Sequence, residues 1–326
     1  IKAYVPELDV IKGIQMPSEE AAESSVEVDY GRCKKGDFIL GNVWELGQEK
    51  YIPPLSNLDK FVPTSSYYTL VNLINNEMQQ IIERRDKGIN GDALIGENYI
   101  NVLLVGKPGT GKTTIAYALA STFGMPIRTV TLSKGSEEDT FEGKTKTVSG
   151  SFNFVQTPFL EGFKNGGIVC LEEINLIDPG TIMGSIGQAI EAPFLLYEDG
   201  YKTVKRSPFT IFISTMNTAT QGSREPSEAF TNRSPYVFMI DDPEDEDFIR
   251  ILQTKGYAER DCRRVFDAYK RVTEYLMNPS INEEEVASSI GVRTCFGALK
   301  LMSIGCSFKD AINHTIIGTI AIKNLM

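Results

Sequence analysis

Residues Gly106-Lys107-Pro108-Gly109-Thr110-Gly111-Lys112-Thr113 match the pattern G-x-x-x-x-G-K-[ST] in full. Glycines at these positions let backbone N–H groups close around a polyphosphate, and a helix starting at the end of the loop adds its positive dipole end. Lys112 is suited to the outer phosphates, and the Thr113 hydroxyl is suited to a Mg²⁺ ion. Gly106, Pro108, Gly109, Thr110, Gly111, Lys112, Thr113 and Thr114 are therefore the candidate nucleotide contacts. A second set of groups follows. The apolar run Ile168-Val169-Cys170-Leu171 ends in Glu172-Glu173, and carboxylates at the tip of a buried strand lie where open α/β sheets bind ligands. One of the two would join Thr113 in the Mg²⁺ shell, and its neighbour would orient and polarise the attacking water. A third apolar run, Phe209 to Ile213, leads to Ser214-Thr215-Met216-Asn217, where Asn217 is either a group that holds water or γ-phosphate or a turn residue.

The elements around these residues must bring them together. The loop follows Val102-Leu103-Leu104-Val105 and precedes a helical stretch from Thr114 to Ala120, giving strand, loop and helix in the required order. Further strands are expected at Ile127–Leu132, Ile168–Leu171 and Phe209–Ser214, with a helix near Thr181–Ile190. Strands alternating with helices imply a parallel sheet covered on both faces. Upstream, apolar residues from Leu70 to Ile82 keep helical spacing within Ser66–Arg84, and Gly88-Ile89-Asn90-Gly91 stops the pattern. Two stretches read as hairpins, Lys144–Gln156 around Ser149-Gly150 and Leu195–Lys205 around Asp199-Gly200. After Asp242 the pattern is helical to the end. The acidic run Asp241 to Asp247 reads as the charged first turn of a helix rather than a metal site. Domains are expected at 1–62 (an extension, partly β or irregular), 63–242 (the nucleotide-binding core) and 243–326 (a helical lid).

Composition narrows the alternatives. Five scattered cysteines, Cys33, Cys170, Cys262, Cys295 and Cys306, show no C-x-x-C spacing and read as reduced core residues. The single histidine, His314, leaves no material for a Ser-His-Asp triad or a paired-histidine metal site. A formal charge of -10 with pI near 4.9 disfavours a broad nucleic-acid surface, although local basic loops stay open. No apolar run reaches membrane-spanning length, and the N-terminal stretch lacks the layout of a signal peptide. The chain, which starts at Ile1, is therefore expected to be cytoplasmic and is read as a piece to which flanking domains could be joined.

Taken together, the order of motifs resembles an AAA+ ATPase of the MoxR and dynein-related branch. Gly106–Thr113 stands as Walker A, Ile168–Asn175 as Walker B and Thr215-Met216-Asn217 as sensor 1. Ser227–Arg233 stands as the segment with the arginine finger, and the resemblance spans about residues 65–326. Arg233 is the finger candidate, with Arg224 as a competitor, and Arg293 falls at the lid position of sensor 2. The resemblance implies a P-loop NTPase core, a C-terminal helical lid, ATP and Mg²⁺ as cofactors, and a ring, commonly a hexamer, in which Arg233 acts in trans. It also implies motor action that remodels or activates a client protein in the manner of a chaperone, often together with a von Willebrand factor A-domain protein. The resemblance makes Glu172 the metal-binding carboxylate beside Thr113 and Glu173 the catalytic one; the family normally has Asp where this chain has Glu172, so an active ATPase with slow hydrolysis or altered Mg²⁺ dependence is expected. Three alternatives stand beside it: a small-molecule P-loop kinase, a slow or non-hydrolysing nucleotide switch, and a GTP-using motor of McrB type.

Overall fold

The computed structural model describes residues 47–89, 100–136, 140–141, 143–148, 151–178, 180, 186–191, 194–197, 202–218, 228–281 and 283–325. Most of the N-terminal extension, Cys33, Asn90-Gly91, both hairpin turn dipeptides, residues 181–185 of the expected helix, Arg224 and Ser227 lie outside them. What is described of the extension forms 3₁₀ turns at Glu49–Tyr51 and Leu55–Lys60.

The core is a five-stranded, wholly parallel sheet. Its strands are β1 (Asn101–Gly106), β2 (Ile127–Thr131), β5 (Gly167–Glu172), β8 (Thr210–Asn217) and β9 (Tyr236–Ile240), in the order β2-β5-β8-β1-β9. All six residues of β1 are buried, which is why the strand reads as a continuous apolar run rather than an alternating one. Two antiparallel pairs are set into this core: β3 (Gly143–Val148) with β4 (Ser151–Gln156), and β6 (Phe194–Tyr197) with β7 (Lys202–Lys205). Both expected hairpins are thus present as paired strands.

Helices cover the sheet. α1 (Ser65–Asp86) starts at Thr64, whose hydroxyl accepts from the Tyr67 N–H, and buries Leu70, Val71, Ile74, Met78 and Ile81 along one stripe. Tyr67 also shares a 2.6 Å hydrogen bond with Thr122 on α2 (Lys112–Phe123), tying the two helices together. α3 (Pro158–Asn165) has Thr157 as its cap and proline in its first turn. Its Phe159 packs 5.3 Å from Phe141 and 5.7 Å from Phe212, ring centre to ring centre. The short helices α4 (Gly187–Glu191) and α5 (Glu228–Asn232) complete the core and contribute Ile190 and Phe230 to its interior.

The lid has a separate hydrophobic interior. It consists of α6 (Asp245–Gln253), α7 (Glu259–Leu276), α8 (Glu284–Ala287), α9 (Val292–Ser303), α10 (Phe308–Ile312) and α11 (Gly318–Leu325), the last two joined through a π-helical turn at Asn313–Ile317. Phe248, Phe266 and Tyr269 cluster at its centre, with Phe248 stacked 4.9 Å from Tyr269. The acidic run does what its position predicts. Asp245, Glu246 and Asp247 occupy the first turn of α6, while Asp242 pairs with Lys107 at 3.1 Å. Cys170, Cys262 and Cys295 are buried free thiols, and burial pushes the Cys295 thiol up to about 12. Among the described residues, no helix is long and apolar enough to cross a membrane.

Candidate active site

The sheet register brings the strand tips level with one another. Gly106 pairs with Asn217, and Thr131 pairs with Glu172, so the ends of β1, β8, β2 and β5 form one rim. The loop leaves this rim and turns back through Gly109 at φ 87° and Gly111 at φ 91°, conformations that cost a side-chain-bearing residue. Gly106 meets a different constraint: a β-carbon there would sit 2.2 Å from the carbonyl oxygen of Ile240 on β9.

Lys112 is 7% exposed, and its ammonium donates to the carbonyls of Gly106 at 2.9 Å and Lys107 at 2.7 Å. A third N–H direction remains for a phosphate oxygen. Burial, then the nearby Arg293 charge, holds the Lys112 ammonium down at about 8, with Glu173 opposing them. A bound triphosphate favours the charged form, so its binding above about pH 8 takes up a proton. Affinity for the triphosphate should weaken by up to about tenfold per pH unit beyond that point. Calorimetry in two buffers of different ionisation enthalpy checks this, and equal heats above the breakpoint would contradict it.

Glu172, at the end of β5, links the first turn of α2 to the end of β2. Its Oε1 accepts from the Thr113 hydroxyl at 2.6 Å and its Oε2 from the Thr131 hydroxyl at 2.8 Å. Oxygen donors of this kind suit a hard cation that takes most of its other ligands from water and phosphate. Among the described residues there is no cluster of three or more metal-ligating His, Cys, Asp or Glu side chains, so any cation held here depends on that supply.

Glu173 is the one described non-glycine residue with positive φ, at 58°. Its backbone N–H donates to the Thr215 hydroxyl at 3.3 Å, fixing the turn that presents the residue at the cavity wall. Asn217 lines the same cavity; the Asn175 side chain donates to its carbonyl at 3.1 Å, and the Thr218 N–H donates to Gly106 at 3.1 Å. Thr215 and Asn175 therefore hold the backbones of Glu173 and Asn217 at the cavity wall.

From the lid, Arg293 at the start of α9 reaches over the loop. A β-carbon built at Gly109 would lie 3.8 Å from both its Cγ and its Cδ. The cavity has a volume of about 550 Å³ and extends past the loop to a wall made by Phe61 and Val62 from the segment before α1, Ile251 of α6 with Thr254 just after that helix, and Phe296 of α9. This wall provides the apolar surface that a base requires. No sequence motif marks it, because its residues come from segments far apart in the chain.

Arg233 is absent from the cavity. It follows α5 at the other end of the sheet, where the Asn101 side chain donates to its carbonyl at 3.0 Å. At the usual rise of a parallel strand, β1 separates Asn101 from Gly106 by about 16 Å. The structure thus gathers Thr113, Glu172, Glu173, Asn217, Lys112 and Arg293 at one cavity and keeps Arg233 away from it.

This strand order, with the phosphate loop after β1 and carboxylates on β5, is that of a P-loop NTPase core of AAA+ type. Residues 101–234 match the family model described as AAA domain, dynein-related subfamily. That match covers less than half of the chain, and over it the chain is similar to AAA domains. Over 147 residues it is 29% identical to the YojN protein of Bacillus subtilis, a match covering 42% of this chain and 45% of that protein. It is 27% identical over 141 residues to midasin of Giardia intestinalis, covering 42% of this chain and 3% of midasin. The matched part is thus less than half the length of either relative. Among solved structures, NtrX from Brucella abortus in complex with ADP aligns over 77% of this chain and 52% of that one, with a TM-score of 0.41 and 17% identity.

Proposed function

We propose that this chain is a Mg²⁺-dependent ATPase subunit of a ring motor of MoxR type that remodels or activates a protein client. The observation that carries the reading is the 2.6 Å contact between Thr113 and Glu172, with Glu173, Asn217 and Arg293 around the same cavity. Triphosphate chemistry needs donors for the phosphates, a pair of oxygens for the cation and a carboxylate near the attacking water. Lys112 and the N-terminus of α2 supply the first, Thr113 and Glu172 the second, and Glu173 the third. A Mg²⁺ ion held there would neutralise charge building on the phosphates. Asn217 orients the water or the γ-phosphate, and Arg293 links phosphate state to the lid.

Arg233 is assigned to the site of a neighbouring subunit, a reading supported by its place at the opposite end of β1 from its own phosphate loop. Hydrolysis then requires assembly, with a hexamer as the expected ring. Rotation of the lid against the core transmits nucleotide state to the paired strands β3–β4 and β6–β7, which act on the client. A von Willebrand factor A-domain protein is the class of client or co-factor protein to test first.

The test is ATPase rate against protein concentration, with mass by light scattering in the presence and absence of ATP and Mg²⁺. A rate per subunit that rises steeply with concentration, together with a nucleotide-stabilised oligomer, is expected. A constant rate from a monomer would overturn the reading in favour of a self-contained kinase or switch.

A further inference from the structure

The end of the sheet remote from the phosphate loop contains a buried polar junction centred on Ile190. Asn101 is 5% exposed, and its side-chain amide donates to two carbonyls, Ile190 at 3.1 Å and Arg233 at 3.0 Å. Arg206, 2% exposed, donates to the same Ile190 carbonyl at 3.1 Å and to the Thr210 carbonyl at 3.1 Å. Two side chains thus converge on the last turn of α4, where unpaired carbonyls attract donors and cations. The next residue, Glu191, extends from this fixed turn and pairs its carboxylate with Arg233 Nε at 2.7 Å.

Among its contacts, Arg233 is held through its backbone carbonyl by Asn101 and paired through its side chain with Glu191. The side-chain contact is made at Nε, the nitrogen next to the aliphatic stem. Arginine pairs with phosphate oxygens through its planar guanidinium, so the orientation of that group decides whether it can do so. An arginine acting across a subunit boundary has many rotamers to lose before it reaches its target, and a carboxylate fixing Nε removes part of that cost in advance.

We propose that Glu191 and Asn101 are positioning residues for Arg233, orienting its guanidinium toward nucleotide bound by the adjacent subunit. The inference rests on Arg233 acting in trans. Asn101 sets where the backbone of Arg233 lies relative to β1, and Glu191 sets where its guanidinium points. Arg206 acts one step back, by fixing the turn of α4 from which Glu191 projects.

Glu191 is the residue to change, because its side chain is 53% exposed and the fold does not depend on burying it. In Glu191→Ala the maximal ATPase rate at saturating protein and ATP should fall about three- to tenfold, the scale of losing one oriented ion pair at a reacting centre. ATP affinity, the protein concentration for half-maximal rate and the melting temperature should stay those of the parent, and Glu191→Asp should recover part of the rate. A maximal rate within twofold of the parent, or above it, would overturn the assignment. So would a loss matched by weaker assembly or a lower melting temperature, since that would make Glu191 a structural contact only. Arg233→Ala is measured alongside to separate the two claims. If it keeps the parent rate, the trans reading itself fails; if it is inactive while Glu191→Ala is normal, only the positioning role fails.

Discussion

Glu173→Gln is expected to hydrolyse ATP ~10² to 10⁴-fold more slowly than the parent while still binding it, because the amide keeps the size of the side chain and loses the proton-accepting oxygen. The backbone supports this separation of effects. Glu173 adopts φ 58°, and its N–H donates to Thr215, so neither feature depends on the carboxylate. The turn should therefore survive the substitution. Single-turnover hydrolysis with radiolabelled ATP, beside a filter-binding assay for retained nucleotide, provides both readouts. Retained binding with lost turnover is the expected pair. Loss of binding would instead place Glu173 among the groups that hold nucleotide, and an unchanged rate would remove it from the chemistry.

Arg233→Ala is the second large effect. An arginine supplied to a neighbour's γ-phosphate is worth ~10³ to 10⁵ in rate, so removing it should lower turnover by that order while each subunit keeps its own phosphate loop, Thr113–Glu172 contact and Arg293. Nucleotide affinity of the isolated subunit should be unchanged, since Arg233 is not among the residues lining its cavity. Steady-state turnover at saturating protein measures this. An arginine on the surface with only an ion-pair role would change little, because exposed pairs contribute about 0.2–1 kcal/mol. A residual rate within tenfold of the parent would favour that outcome.

The parts of the site that were legible in the sequence share a physical cause. β1, β5 and β8 are largely buried, so each carries an apolar run, and the residues that end them stand out as Gly106, Glu172-Glu173 and Asn217. The lid was legible because its helices bury one stripe each, as on α7 with Cys262, Phe266 and Tyr269. β9 was not anticipated. It lies at the edge of the sheet, with Val237 46% and Met239 55% exposed, yet Tyr236–Ile240 is an apolar run bounded by Ser234-Pro235 and Asp241-Asp242-Pro243, which is a strand signal in the sequence itself. α3 was also passed over, being too short for helical spacing to show even though Thr157 and Pro158 mark its start. Thr131 looked like any strand-end threonine; only its register opposite Glu172 shows that it holds the second carboxylate oxygen. Phe61 and Val62 had no motif at all, since the cavity wall they form exists only after α6 and α9 fold over the loop.

The central claim is that each active site is shared by two subunits, and mixing two inactive variants tests it most directly. Glu173→Gln subunits retain Arg233, and Arg233→Ala subunits retain Glu173. A mixed ring then contains boundaries where an intact Glu173 faces an intact Arg233 from the next subunit. ATPase activity measured across mixing ratios should be near zero at both ends and rise to a maximum between them. Activity that stays at the sum of the two separate preparations at every ratio, in mixtures shown by light scattering to co-assemble, would contradict the shared site.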